Sequence, residues 1–145
     1  MRRLFALILI AVPLLAADRP EATIKYRQTT MRAMAAHMSL LSQVVKKQVG
    51  RRGRIGVDAE ALRGLSIGLA DLFPKGTGPE TARTAAKPEI WQRRSDFEIA
   101  ATKLQRETAY LSQLARGNDP AAFDAQFEAV NATCNSCHDQ FRERD

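Results

Sequence analysis

Between Met31 and Val45 one series of apolar residues runs Met31, Met34, Met38, Leu41 and Val45, in steps of three, four, three and four. That spacing draws one stripe along an α-helix, of the kind that forms the seam of a helical bundle. With Ile24 upstream it predicts a first helix over about residues 20–48, ended by Gly50 and Gly53. Leu62, Leu65, Leu69 and Leu72 draw a second stripe. Asp58 is placed to be its N-cap, Glu60 falls in its first turn, and Phe73-Pro74 stops it. A loop rich in Gly, Pro and Thr follows to about residue 87.

A third helix is expected from Pro88, a residue suited to a first helical turn, to Gly117, a C-terminal stop. Ile90, Arg94, Phe97, Ala101, Leu104, Thr108 and Leu111 share its stripe. Asp119-Pro120 supplies an N-cap followed by proline at the first position, opening a fourth helix. Phe123, Phe127, Val130, Cys134, Cys137 and Phe141 carry the same spacing to the C-terminus. No segment has the alternation of a strand. Four amphipathic helices joined by short or moderate connections predict an all-α fold, an antiparallel four-helix bundle.

The N-terminus has a different pattern. Met1-Arg2-Arg3 is basic, an apolar run from Leu4 to Leu15 is broken only by Pro13, and Ala16-Ala17 precedes Asp18. This is the order of a secretory signal peptide, and the run is shorter than the ~20 residues that span a bilayer. Residues 1–17 are therefore expected to be a cleaved signal, cut after Ala16 or Ala17, leaving one bundle domain over residues 18–145 exported to the periplasm. Formal net charge is +6 and falls to +4 once Arg2 and Arg3 leave with that segment. The one dense basic run is Lys46-Lys47 followed by Arg51-Arg52-Gly53-Arg54, which suits a helix C-terminus and a solvated loop. Without aromatic residues to stack on bases it does not suit nucleic acid.

The chemistry is concentrated at Cys134-Asn135-Ser136-Cys137-His138, a C-x-x-C-H run that contains both cysteines of the chain. This pattern points to covalent haem attachment. Each thiol adds to one vinyl group of a single haem c, and the adjacent His138 reaches the iron as proximal ligand. A thioredoxin-like pair would follow a strand, a plain disulfide leaves His138 without a role, and zinc would want four ligands. His37, the other histidine, is far away in sequence and flanks the first seam as a surface or boundary residue.

Three further segments carry a resemblance. Lys25-Tyr26-Arg27-Gln28, Lys87-Pro88-Glu89-Ile90-Trp91 and His138-Asp139-Gln140-Phe141-Arg142, together with attachment on the last helix, resemble the class II c-type cytochromes. That is the family of cytochrome c prime and its low-spin Met/His-ligated relatives, and the resemblance spans the mature chain. It implies that Arg27 and Gln28 contact the haem and that Met31 faces its distal side. Arg27 also stands out without it, because it lies on the apolar seam three residues after Ile24, where a charge is costly unless paired. It either snorkels to solvent or pairs with a haem propionate. Met31 has a packing role open to it as well. Arg142, one turn past His138, either stabilises the helix end or tunes the imidazole. Trp91 is expected to anchor packing.

The expected function is electron transfer by Fe(III)/Fe(II) cycling with soluble or membrane-bound redox partners, Met31 completing the ligation. The alternative is a five-coordinate haem that binds nitric oxide or carbon monoxide behind an unbonded Met31. Peroxidase-like catalysis would want a distal acid–base residue, and the expected distal neighbours are apolar, so no enzymatic activity is expected. A homodimer is compatible with the family.

Overall fold

A computed structural model describes residues 19–144, so the expected signal segment lies outside the described residues. Among the described residues there are five α-helices: α1 (Pro20–Val45), α2 (Ile55–Ser66), α3 (Glu89–Gln92), α4 (Arg94–Leu114) and α5 (Pro120–Phe141). The short α3 leads into α4, so the four long helices form the expected antiparallel four-helix bundle. α1 packs on α2 and α5, α2 on α4, and α4 on α5. No strand occurs among the described residues, only an isolated antiparallel bridge between Ala86 and Arg142. No described helix is long and apolar enough to cross a membrane.

The three-four stripes are the core. Met34 and Leu41 from α1, Leu62 from α2, Leu104 and Leu111 from α4, and Phe123, Phe127 and Val130 from α5 form one buried cluster. Leu41, Leu111 and Val130 have no exposure at all. Truncating a leucine so enclosed leaves a hole the surroundings refill only in part, at a cost of about 2–5 kcal/mol. A second cluster of Phe73, Ala86, Ile90, Phe97 and Phe141 closes the end that carries the C-terminus. Its rings meet edge to face, Phe73 on Phe97 at 4.8 Å and Phe97 on Phe141 at 5.3 Å between centroids, the geometry their quadrupoles favour.

Several helix ends differ from expectation. α1 stops at Val45, not near residue 48, because Lys47 adopts φ 56° and turns the chain. The Lys47 amide donates to the Val44 carbonyl at 3.0 Å and the Gln48 amide to the Gln43 carbonyl at 2.9 Å. This is a Schellman stop with lysine where glycine is usual. On the last turn Val44 is the buried valine, and Val45 is part-exposed. Asp58 is not an N-cap, since a 3-10 turn at Arg52–Arg54 feeds α2 from Ile55. Its buried carboxylate instead faces His37, Oδ1 lying 2.9 Å from Nδ1.

α2 ends at Ser66 and not at Phe73-Pro74. Gly68 takes φ 65°, and a 3-10 turn, Leu69–Leu72, completes the stripe. The third helix is interrupted at Arg93 (φ −115°, ψ 52°). Beside the break, Arg94 donates to the Phe73 carbonyl at 2.9 Å and the Ala70 carbonyl at 3.0 Å. That satisfies a cation which the sequence placed on an apolar stripe. The fourth helix opens as expected, with Asp119 Oδ1 accepting from the Ala122 amide at 3.0 Å and Pro120 at the first position.

Candidate functional site

The seam of α5 supplies the reactive groups. Residues three and four apart share a helix face, so Cys134, Cys137 and His138 project to the same side. All three line a cleft of about 930 Å³ between α1, α4, α5 and the segment before α3. That is near the upper end of the roughly 300–1,000 Å³ range of ligand sites. Its walls are mainly apolar, with Met31, Met34 and Met38 on the α1 side, Phe97 and Leu104 on α4, and Phe127, Val130 and Phe141 on α5. Both thiols are free and half-buried. Burial raises their pKa values, that of Cys137 to about 11, with Cys134 beside it as the smaller cause. His138 stands at the open rim, where partial desolvation, and then the nearby Arg142 guanidinium, hold its pKa below the ordinary value.

The residues expected from α1 line the same cleft. Met31 is part-buried and touches both apolar clusters. Gln28 donates through Nε2 to the Arg83 carbonyl at 3.0 Å.

Arg27 does not snorkel; it is 2% exposed. Nη1 donates to Thr77 Oγ1 at 2.8 Å, while Nη2 donates to the Thr77 carbonyl at 2.6 Å and Thr84 Oγ1 at 3.0 Å. The guanidinium lies 4.7 Å from the Phe73 ring centroid and 5.7 Å from that of Trp91, a cation–π setting. Burial lowers its pKa and the Glu80 carboxylate raises it again. Three of the five N–H donors of a guanidinium are thus taken.

Thr77 and Thr84 were not legible as site residues. They lie in the Gly/Pro/Thr loop, which runs as a strap from Phe73 past Arg27 to the end of α5. Trp91, expected as an anchor, holds the strap by donating from Nε1 to the Pro74 carbonyl at 3.0 Å. At its far end the Lys87 amide donates to the Phe141 carbonyl at 3.0 Å, and the Glu143 amide to the Ala85 carbonyl at 2.8 Å. The strap thereby fixes the C-terminal turn that bears His138 and Arg142. Arg142 lines the cleft, and its backbone bridges Ala86.

The donor set fits a covalently held haem. Two thiols and an imidazole share one wall, apolar side chains line the cavity, a thioether lies on another helix, and a buried cation faces the cleft. A bundle with this wall on its last helix defines the class as a haem protein of the c type.

Comparison with known proteins identifies the family. The family described as Cytochrome C' matches residues 22–142. The cytochrome c' of Pararhodospirillum photometricum is 34% identical over 124 residues, 86% of this chain and 98% of that protein. A cytochrome c-554 of Cereibacter sphaeroides is 32% identical over 142 residues, 94% and 92% of the two chains. A nitric oxide complex of a leucine-to-alanine variant of cytochrome c prime from Alcaligenes xylosoxidans superposes with a TM-score of 0.80 at 31% identity, covering 90% and 100%. A carbon-monoxide-bound variant of the same cytochrome gives 0.78 at 32%, covering 87% and 98%. The chain belongs to the cytochrome c' family, and its cofactor is one covalently attached haem c with its iron.

Proposed function

We propose that this cytochrome c' binds a diatomic gas, nitric oxide or carbon monoxide, at a haem held on one side only. Cys134 and Cys137 form the thioethers and His138 is the proximal ligand. Arg27, with Gln28 beside it, takes a propionate. When bound, the haem supplies an iron that bonds the gas and can change oxidation state. The protein supplies a dry, apolar chamber and a screen. Met31 is that screen in this reading. The observation that carries it is the setting of Met31 within two apolar clusters, so that its side chain is engaged in packing on the α1 wall. The nitric oxide and carbon monoxide complexes of two leucine variants of one similar cytochrome support the same choice.

This reading takes precedence over the electron carrier expected from the sequence. Electron transfer remains a second reading on one observation: Met31 lines the cleft from a helix other than the one bearing His138, and its thioether could ligate iron. Export through a cleaved signal of residues 1–17 to the periplasm belongs to the proposal in either case, as do redox partner proteins and a homodimer. Titration of the ferrous holoprotein with carbon monoxide tests it. Binding should be saturable, and Met31→Ala should accelerate it by clearing the screen. If carbon monoxide binds only after Met31 is truncated, the gas reading falls and the ligated electron carrier replaces it.

A further inference from the structure

The basic run of residues 46–54 contributes only Lys46 to the haem cleft. The fold gives the rest a separate setting at the α1–α2 corner. Roughly 25–30 Å of α1 separates this corner from Arg27 at 1.5 Å per residue, and of the two hollows' lining residues none is shared between the corner and the Arg27 end of the cleft. A second hollow of about 380 Å³ opens at the corner. Leu40, Val44 and Val49 give it apolar walls, and Arg51 and Arg54 stand around it. Leu40 and Val49 are 48% and 39% exposed, large apolar side chains beside a cationic rim.

The cations are in excess. Lys46, Lys47, Arg51, Arg52 and Arg54 precede a single acid, Asp58, in residues 46–58. Asp58 faces His37, Asp124 pairs with Arg52, and Glu60 pairs with Arg63. No described carboxylate pairs with Lys46, Lys47, Arg51 or Arg54. The stretch contains no aromatic side chain on which a base could stack. Exposed apolar groups set among surplus cations match the boundary between acyl chains and anionic headgroups.

We propose that this corner docks the protein on an anionic lipid bilayer, Arg51 and Arg54 meeting lipid phosphates while Leu40 and Val49 settle at the interface. The test is co-sedimentation of the holoprotein with vesicles of phosphatidylcholine, with and without about a third phosphatidylglycerol. The protein should sediment only with the anionic vesicles and be released as salt is raised. Arg51→Gln with Arg54→Gln should weaken partitioning by roughly tenfold or more. Leu40→Ser with Val49→Ser should weaken it further at unchanged charge. The haem absorption spectrum should stay that of the parent in both, which separates this proposal from the gas-binding reading. Absence of binding to anionic vesicles, or arginine variants that bind like the parent, overturns it. So does indifference to the serine changes, which would mark a bare polyanion contact.

Discussion

Leu41 and Phe123 sit on α1 and α5 in the closed part of the bundle and are 0–1% exposed. Ten or so residues along the same two helices, roughly 15 Å away, Met31 and Cys134 stand part-exposed around a cleft of about 930 Å³. The seam is continuous through both regions, and α1 and α5 are helical throughout. What differs is the filling. The closed part is packed by its own side chains, and the cleft part is built to be completed by the haem. The two regions should therefore respond differently to mutation, the first in stability and the second in cofactor retention and spectrum.

The largest effect is expected from the attachment pair. Cys134→Ala or Cys137→Ala should weaken or abolish retention of haem by the polypeptide after acid–organic extraction, which the parent should withstand. Mass spectrometry of the mature chain checks this, and a parent mass without haem from a host able to attach it would refute the assignment. Next comes Leu111→Ala in the closed region, with a loss of about 2–5 kcal/mol in denaturant unfolding and an unchanged absorption spectrum. A comparable spectral change would show that the two regions are not separable.

Arg27→Leu lies on the border. It removes the donors to Thr77 and Thr84 and leaves polar atoms at the strap without partners, at about 1–3 kcal/mol. If Arg27 also meets a propionate, the reduction potential should shift while the spin state stays nearly the same. An unmoved potential would confine the residue to holding the strap. The smallest effect is at the end of α1. Lys47→Gly relieves a side chain from the left-handed region and should raise stability by about 0.5–1 kcal/mol, after the entropy of glycine offsets part of the gain. A loss of stability would mean that the Schellman turn is not strained by its lysine.

Most of the fold was legible because each long helix carries a three-four stripe, and periodicity survives whatever packs against it. The C-x-x-C-H run, on which the proposed attachment site rests, was legible because it is local. The misses share a physical cause. Asp58 has the local chemistry of an N-cap, yet its carboxylate faces His37 on another helix. The interruption at Arg93 adjoins Arg94, which is tied to carbonyls more than twenty residues away. The strap residues Thr77 and Thr84 look like ordinary loop hydroxyls until Arg27, some fifty residues upstream, is brought beside them. Arg27 itself was visible as a charge on an apolar seam, and burial, not spacing, decides against snorkelling.

The proposed gas site is a haem with one protein ligand and a screened open face. The absorption spectrum of the unmodified ferrous holoprotein, taken before and after carbon monoxide is added, tests this most directly. A high-spin spectrum that carbon monoxide converts to a low-spin adduct is the predicted result. A spectrum already low-spin, and unmoved by carbon monoxide, would contradict it and place Met31 on the iron.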